Sequence, residues 1–413
     1  MSALQPVRGT HDLLPEDMRR HRHVVDTARR AVALYGYQEM STPIFEFTEV
    51  FKRTLGDTSD IVTKEMYSFE RGGDHLTLRP EATAGVCRAV ISGGLQQQAP
   101  LKYFYYGPMF RYERPQKGRL RQFHQIDIEI IGIAEPLADI EVIAAGARVL
   151  DALGILKRTT LEINTLGDSE SRTIYRQKLV DYFRAHQARL SEDSVNRLER
   201  NPLRILDSKD DGDRHIVADA PLFDDSLTPA ARDFFAKVCD GLNRLGIAFN
   251  RNQRLVRGLD YYCHTAFEFT TTELGAQSAV LAGGRYDGLI EMMGGPPTPG
   301  IGWAAGVERL SMMLRDVTPA PRPFAIVPVG PEGEALALTL TEDLRRAGFP
   351  VELGYRGNMS RRMKAANKVN ARAAILIGED EIKRGAATVR DLDSGEQAEV
   401  PLQALKDRLA QFR

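Results

Sequence analysis

The most regular pattern in the chain lies at 121–131, where Ile126, Ile128 and Ile130 alternate with Gln125, Asp127 and Glu129. Strand side chains alternate between faces with a period of two. One face of this strand is therefore core, and the other carries Arg121, Phe123, Gln125, Asp127 and Glu129. A partner arm precedes it. Tyr103–Tyr106 and Met109–Arg114 read as strand, with Arg111 and Glu113 on one face, and Arg114-Pro-Gln-Lys-Gly-Arg119 reads as the polar turn between the arms. Ala266–Thr272 is a further strand. Helical periodicity predicts helices over Pro15–Tyr35, stopping at Gly36, and over Glu81–Ser92, just after Pro80. Ser169–Leu245 is polar and helical, and reads as an insertion among the strands.

The pattern changes after Thr318-Pro-Ala-Pro-Arg-Pro323, a proline-rich extended linker. Strands over Phe324–Val329, Val351–Gly354 and Ala373–Ile377 then alternate with helices over Glu334–Ala347 and Ser360–Ala371, the latter capped by Ser360. A hairpin (Ala387–Leu392 with Gln397–Val400) and a helix over Leu402–Phe412 complete a small α/β domain.

Composition adds mostly exclusions. Of 413 residues, 43% are hydrophobic and 27% charged, which is ordinary for a globular chain. No apolar run approaches the ~20 residues that span a bilayer, and the N-terminus has no signal-like apolar core, so the reading is a cytoplasmic protein. Cys87, Cys239 and Cys263 are far apart without CxxC spacing, which argues against disulfides and a structural zinc. Net charge is −1, so any nucleic-acid surface must be local. The local exception is Tyr355–Arg372, with Arg356, Arg361, Arg362, Lys364, Lys368 and Arg372 and no acidic residue. Taken alone it reads as a solvated helix face, although an anionic partner also fits.

The chemistry concentrates in four stretches. The hairpin face combines arginines, an aromatic plate, an amide and carboxylates, and arginine grips phosphate bidentately while a purine stacks on phenylalanine. Arg254-Leu-Val-Arg-Gly-Leu-Asp-Tyr-Tyr262 places a cation, an anion and two tyrosine hydroxyls on one turn, suited to a small polar ligand beside a phosphate. Glu81 alone reads as a first-turn acid favouring the helix dipole, but beside the hairpin Glu81 and Thr83 also offer acceptors for an ammonium. Ala282-Gly-Gly-Arg-Tyr-Asp-Gly288 and Gly300-Ile-Gly-Trp-Ala-Ala-Gly-Val-Glu-Arg-Leu310 are glycine-rich. The second lacks GxGxxG spacing and a βαβ unit, and reads instead as a close-packed strand followed by a helix carrying Arg309. No P-loop signature occurs.

These motifs resemble a known family. Phe110-Arg-Tyr-Glu-Arg114 with Gly306-Val-Glu-Arg-Leu310 is similar to motifs 2 and 3 of class II aminoacyl-tRNA synthetases. Leu255–Tyr262 and Ala282–Gly288 resemble the two signature peptides of histidyl-tRNA synthetases. Val7-Arg-Gly-Thr-His-Asp-Leu-Leu-Pro15 resembles that family's opening, and Tyr35–Glu49 its dimer-forming motif 1. The resemblance covers nearly the whole chain. It implies an α+β fold: a class II catalytic domain over 1–320 (an antiparallel sheet flanked by helices), a helical insertion at about 169–245, and an anticodon-binding α/β domain over 324–413.

The implied reaction activates L-histidine with ATP to histidyl-adenylate and pyrophosphate, then acylates the 3′ end of tRNA(His). Carried over, Glu81, Thr83 and Gln125 hold the substrate ammonium, while Glu129 and Tyr262 bracket the imidazole with Tyr261 beside them. Arg111 and Arg257 grip the α-phosphate. Phe123 and Arg309 sandwich the adenine, Arg309 and Arg121 face the distal phosphates, and Glu113 contacts the nucleotide. Arg114, Gln116, Arg119, Arg361 and Lys364 are candidates for tRNA. ATP is a substrate accompanied by Mg2+, with no protein-bound metal, no tightly bound cofactor and no membrane partner expected. A homodimer is implied by the resemblance alone, since 36–49 reads equally as ordinary core. Two rivals remain: a non-catalytic histidine-sensing regulatory paralogue of a phosphoribosyltransferase, and an ATP-dependent amide ligase on the same fold. The arginines and the basic C-terminal domain argue against both.

Overall fold

The alternation at 121–131 is realised as Gln122–Ile131, one of two long arms at the centre of an eight-stranded sheet. The computed structural model describes residues 4–55, 61–116, 118–199, 201–208, 210–255, 261–275 and 278–412. The chain divides into two compact units, 1–317 and 318–413.

In the first unit the strand order is Gln38–Glu39, Leu101–Phe110, Gln122–Ile131, Gly300–Gly306, Ala279–Arg285, Cys263–Thr270, Thr160–Thr165, Asn250–Arg251. The two edge strands pair in parallel and every interior pairing is antiparallel. Ile126, Ile128 and Ile130 enter a core shared with Val24 and Ala28 of the Pro15–Ala33 helix and Val142 of the Pro136–Ala152 helix. The opposite face holds the polar set. At its end a second core forms around the Thr83–Ser92 helix, with Tyr105, Met109, Tyr261, Tyr262 and Tyr286.

The first arm differs from the sequence reading. It is one continuous strand that ends at Phe110, because beyond it the chain leaves the regular ladder. Tyr112 N–H instead donates to Glu65 O at 2.7 Å. A small three-stranded sheet (Phe45–Phe47, Asp74–Leu78, Tyr67–Arg71) leaves Phe45 51% and Phe47 57% exposed.

The helical insertion has its own core, with Tyr175, Leu179, Phe183, Ile216 and Phe223. Its last helix, Pro229–Arg244, belongs elsewhere: Phe235, Val238 and Leu242 pack into the main core. The polar reading of 169–245 hid this face, which is apolar at only every third or fourth position.

The second unit is a five-stranded sheet ordered Val351–Leu353, Phe324–Pro328, Ala373–Ile377, Ala386–Asp391, Gln397–Pro401. The first three strands are parallel and the last two antiparallel. Its basic helix spans Met359–Lys368, and the cap is Asn358 rather than Ser360, its side chain accepting Arg361 N–H at 3.1 Å. The basic window also acquires counter-charges from distant segments. Arg362 is buried against Glu334 at 2.5 Å, and Arg372 pairs with Asp391 at 2.7 Å and Asp393 at 2.8 Å. Arg356, Arg361, Lys364 and Lys368 stay exposed.

Candidate functional site

A cleft of about 290 Å³ opens on the polar face of the large sheet, lined by the hairpin, the start of the Thr83–Ser92 helix, Ala279–Ala282 and Gly302–Arg309. The sheet register explains its chemistry. Gln125, Asp127 and Glu129 share a face, opposite Gly107, Tyr105 and Tyr103 on one side and Gly306, Ala304 and Gly302 on the other. Small residues on the neighbouring strand leave room above the polar row.

Glu129 is the most constrained group. It is 1% exposed, and its Oε1 accepts the hydroxyls of Thr83 at 2.8 Å and Tyr105 at 3.0 Å, while Oε2 accepts that of Tyr286. Burial pushes its carboxyl up to about 7, against the opposing pull of those hydroxyls. Gly302 is required beside it, since a Cβ there would lie 1.8 Å from Glu129 Oε2 and 2.3 Å from Ile128 O. At Gly284 a Cβ would meet Thr265 O at 2.6 Å and the Tyr262 ring at 2.8 Å. Tyr261 and Tyr262 are buried with ring centroids 4.6 Å apart, and Tyr286 meets Tyr261 edge-on at 5.9 Å.

Glu81 serves its helix and the cleft together. Its two oxygens accept the N–H groups of Thr83 and Ala84, each at 2.9 Å, and the carboxyl lines the cleft. Burial raises its pKa, while these N–H groups and Arg111 oppose the rise.

The cleft is also lined by cations. Arg111 donates through Nε to Pro80 O at 2.8 Å, and its guanidinium carbon lies 5.3 Å from the Phe123 ring centroid. Arg309 donates to Gly118 O at 2.9 Å and Ala279 O at 2.7 Å, so it bridges the hairpin loop to a neighbouring strand. Glu113 is buried between Arg119, with which it is ion-paired, and Arg111 at 3.9 Å.

Several sequence candidates lie elsewhere than expected. Arg121 is absent from the cleft lining; it stacks 3.8 Å over the Tyr112 ring and donates to Glu113 O and Arg8 O. Position 121 precedes the ladder, which ends at the pair Phe110–Gln122, so strand alternation no longer fixes its direction. Arg119 turns into the cleft toward Glu113, whereas Arg114 and Gln116 are exposed on the loop. Arg257 and Asp260 lie outside the described residues. In the second unit Arg361 lines a groove of about 770 Å³ with Tyr355 and Arg356, and Lys364 is exposed on the same helix.

Sequence reasoning missed Tyr105, Tyr286 and Glu308. Tyr105 was reachable, because cross-strand pairing sets it opposite Asp127 on the polar face. Glu308 accepts His124 N–H at 3.0 Å and meets His124 Nδ1 at 2.8 Å, fixing the Arg309 helix to the hairpin. Beneath the glycine strand, Arg285 and Asp139 form a fully buried pair with Nε–Oδ2 at 3.1 Å, and Arg285 also donates to Ile133 O at 2.9 Å. No local sequence signal links residues this far apart.

Comparison with known proteins accounts for these features together. The family model described as Histidyl-tRNA synthetase matches residues 9–310, and one described as Anticodon binding domain matches 324–412. The chain is similar to a histidine–tRNA ligase of Rhodospirillum rubrum, 62% identical over the full length of both chains. A histidine–tRNA ligase of Gluconacetobacter diazotrophicus is 60% identical over 99% of each chain. Among solved structures, apo histidyl-tRNA synthetase of S. aureus superposes with a TM-score of 0.83 at 32% identity, covering 98% of this chain and 99% of that one.

Proposed function

The chain belongs to the histidyl-tRNA synthetase family, and from that premise we propose how its cleft performs the two steps of a histidine–tRNA ligase. The family uses ATP, and the enzyme is an aminoacyl-tRNA synthetase. In the proposed first step a carboxylate oxygen of histidine attacks the α-phosphorus of ATP, forming the acyl-phosphate bond as pyrophosphate leaves. A ribose hydroxyl at the tRNA 3′ end then attacks the acyl carbon and AMP departs.

The observation that carries the reading is the division of the cleft. Buried acceptors (Glu81, Gln125, Glu129) share the cleft with Arg119 and Arg309 of the hairpin-loop side, and Arg111, against Phe123 and close enough to Glu81 to act on its carboxyl, stands between the two groups. Phosphoryl transfer asks little covalent chemistry of the protein; fixed cations facing the phosphoryl oxygens supply most of the rate. Arg111 and, by resemblance, Arg257 take the α-phosphate. Phe123 and Arg309 hold the adenine. Glu113 orients Arg111 and Arg119 at the nucleotide. Magnesium arrives on the phosphate oxygens of ATP. Histidine is selected by Glu129 and Tyr262, because buried polar groups left unpaired by a wrong side chain disfavour it strongly.

Arg114 and Gln116 on the exposed loop, with Arg361 and Lys364 on the second unit, are the proposed tRNA contacts. The exposed Phe45 and Phe47, with Phe69 of the same small sheet, support a homodimer. Among the described residues no helix is long and apolar enough to cross a membrane; ATP and tRNA are intracellular substrates, so the proposed compartment is the cytoplasm. Converting Arg111 to alanine tests the assignment. Histidine binding should persist while pyrophosphate exchange falls about 10²–10³-fold. Equal loss of both would make Arg111 structural.

A further inference from the structure

Three carboxyl groups meet at the amino-acid end of the cleft, and two are already engaged. Glu81 accepts two backbone N–H groups, and Glu129 accepts three hydroxyls. Asp127 stands apart. It lies two residues before Glu129 on the same face, lines the cleft and is 1% exposed, yet its Oδ2 has no hydrogen-bond partner. Two residues earlier again, Oε1 of Gln125 is likewise buried without a partner.

The neighbouring donors are directed elsewhere. Tyr105, the cross-strand partner of Asp127, gives its hydroxyl to Glu129. Arg79 sends Nε to Pro108 O at 2.9 Å and one terminal nitrogen to Thr42 O at 3.0 Å; its other terminal nitrogen lies beside Gly107, so its charge acts on Asp127 without a hydrogen bond to Oδ2. Buried polar atoms are rarely left without partners, and an orphan at a ligand site calls for an explanation. Here two orphan acceptors sit side by side. Same-face neighbours on a strand are about 6.8 Å apart at Cα. One ammonium nitrogen donates along directions about 109° apart, so with bonds of about 2.8 Å it reaches two oxygens about 4.6 Å apart, a gap that the differing lengths of the Asp127 and Gln125 side chains allow.

We infer that Asp127 is a further substrate-binding residue: with Gln125 it holds the α-ammonium of the amino acid, leaving Glu129 to the imidazole. This rests on the reading of the cleft as a histidine site. Burial, with Glu129 and Glu81 close by, holds the Asp127 carboxyl well above the usual carboxylate range. Arg79 and Arg111 oppose that rise, and the arriving ammonium adds a positive charge to theirs.

The test compares Asp127→Asn with the unaltered full-length chain, using three ligands. Histidine and histidinol carry the ammonium, whereas imidazolepropanoate keeps the imidazole and lacks it. The variant should lose about tenfold or more in affinity for histidine and histidinol. Imidazolepropanoate affinity and the KM for ATP should stay within about twofold. Equal loss for all three ligands, or no loss for any, overturns the proposal. If Asp127→Asn melts early, Asp127→Ser carries the same expectation. Failure of the unaltered chain to bind histidine defeats the histidine reading itself, a result distinct from any pattern among the variants.

Discussion

Replacing Glu129 with glutamine keeps the side-chain volume and removes a charge that the fold holds under protest. The carboxyl titrates at about 7 in the folded chain against an ordinary 4.5. Between those values the folded state retains a proton that the unfolded state gives up. The stability of the unliganded enzyme therefore falls as pH rises from about 4.5 to 7, by roughly 3 kcal/mol across the window. The sign is opposite to that of a salt-bridged carboxylate. Glutamine carries no such proton, so the stability of Glu129→Gln relative to the unaltered chain should improve by roughly 3 kcal/mol between pH 4.5 and 8. Function should move the other way. The amide nitrogen no longer accepts, and a charge-assisted acceptor for the imidazole N–H is lost, roughly 2–3 kcal/mol or 30- to 150-fold in the KM for histidine. Urea unfolding at pH 4.5, 6 and 8, followed through Trp303 (the one tryptophan, and in the first unit), reads the first effect. Pyrophosphate exchange kinetics read the second. A stability gap that ignores pH, with a histidine KM within threefold, would refute both the buried titration and the imidazole role.

Three further outcomes follow from the geometry. Gly302→Ala sets a Cβ 1.8 Å from Glu129 Oε2, so exchange kinetics should show a histidine KM at least tenfold higher with the ATP KM little changed; a normal histidine KM would mean the strand relaxes freely. Arg285→Met leaves Asp139 buried without its partner and should lower stability by about 3–5 kcal/mol in the same urea assay, with Asp139→Asn recovering part of the loss. Arg361→Ala with Lys364→Ala should weaken tRNA binding and reduce its salt slope by about two, leaving amino-acid activation intact; an unchanged slope would remove this helix from the interface.

What the sequence revealed follows from the range of each interaction. The period-two row Gln125, Asp127, Glu129 was legible because alternation is local, and the structure puts all three in the cleft. The same rule failed at Arg121, one residue beyond the ladder, and it did not extend to the loop residue Arg119, which pairs with Glu113. The basic window at 355–372 looked uncompensated because Glu334, Asp391 and Asp393 lie outside it and only folding delivers them. Ser360 and Asn358 are both good caps, and local sequence does not decide between them. Arg285–Asp139, His124–Glu308 and Tyr286–Glu129 join residues more than a hundred positions apart, beyond any windowed pattern. The two arginines that the family resemblance assigns to the α-phosphate divide in the same way: Arg111 lines the described cleft, and Arg257 remains an inference from sequence.

The central claim is that this cleft makes an aminoacyl-adenylate from histidine, and amino-acid-dependent exchange of labelled pyrophosphate into ATP tests it most directly. The full-length protein with magnesium should support exchange with histidine and negligible exchange with each of the other standard amino acids. Histidine binding without exchange at any magnesium concentration would contradict the account and leave a histidine sensor in its place.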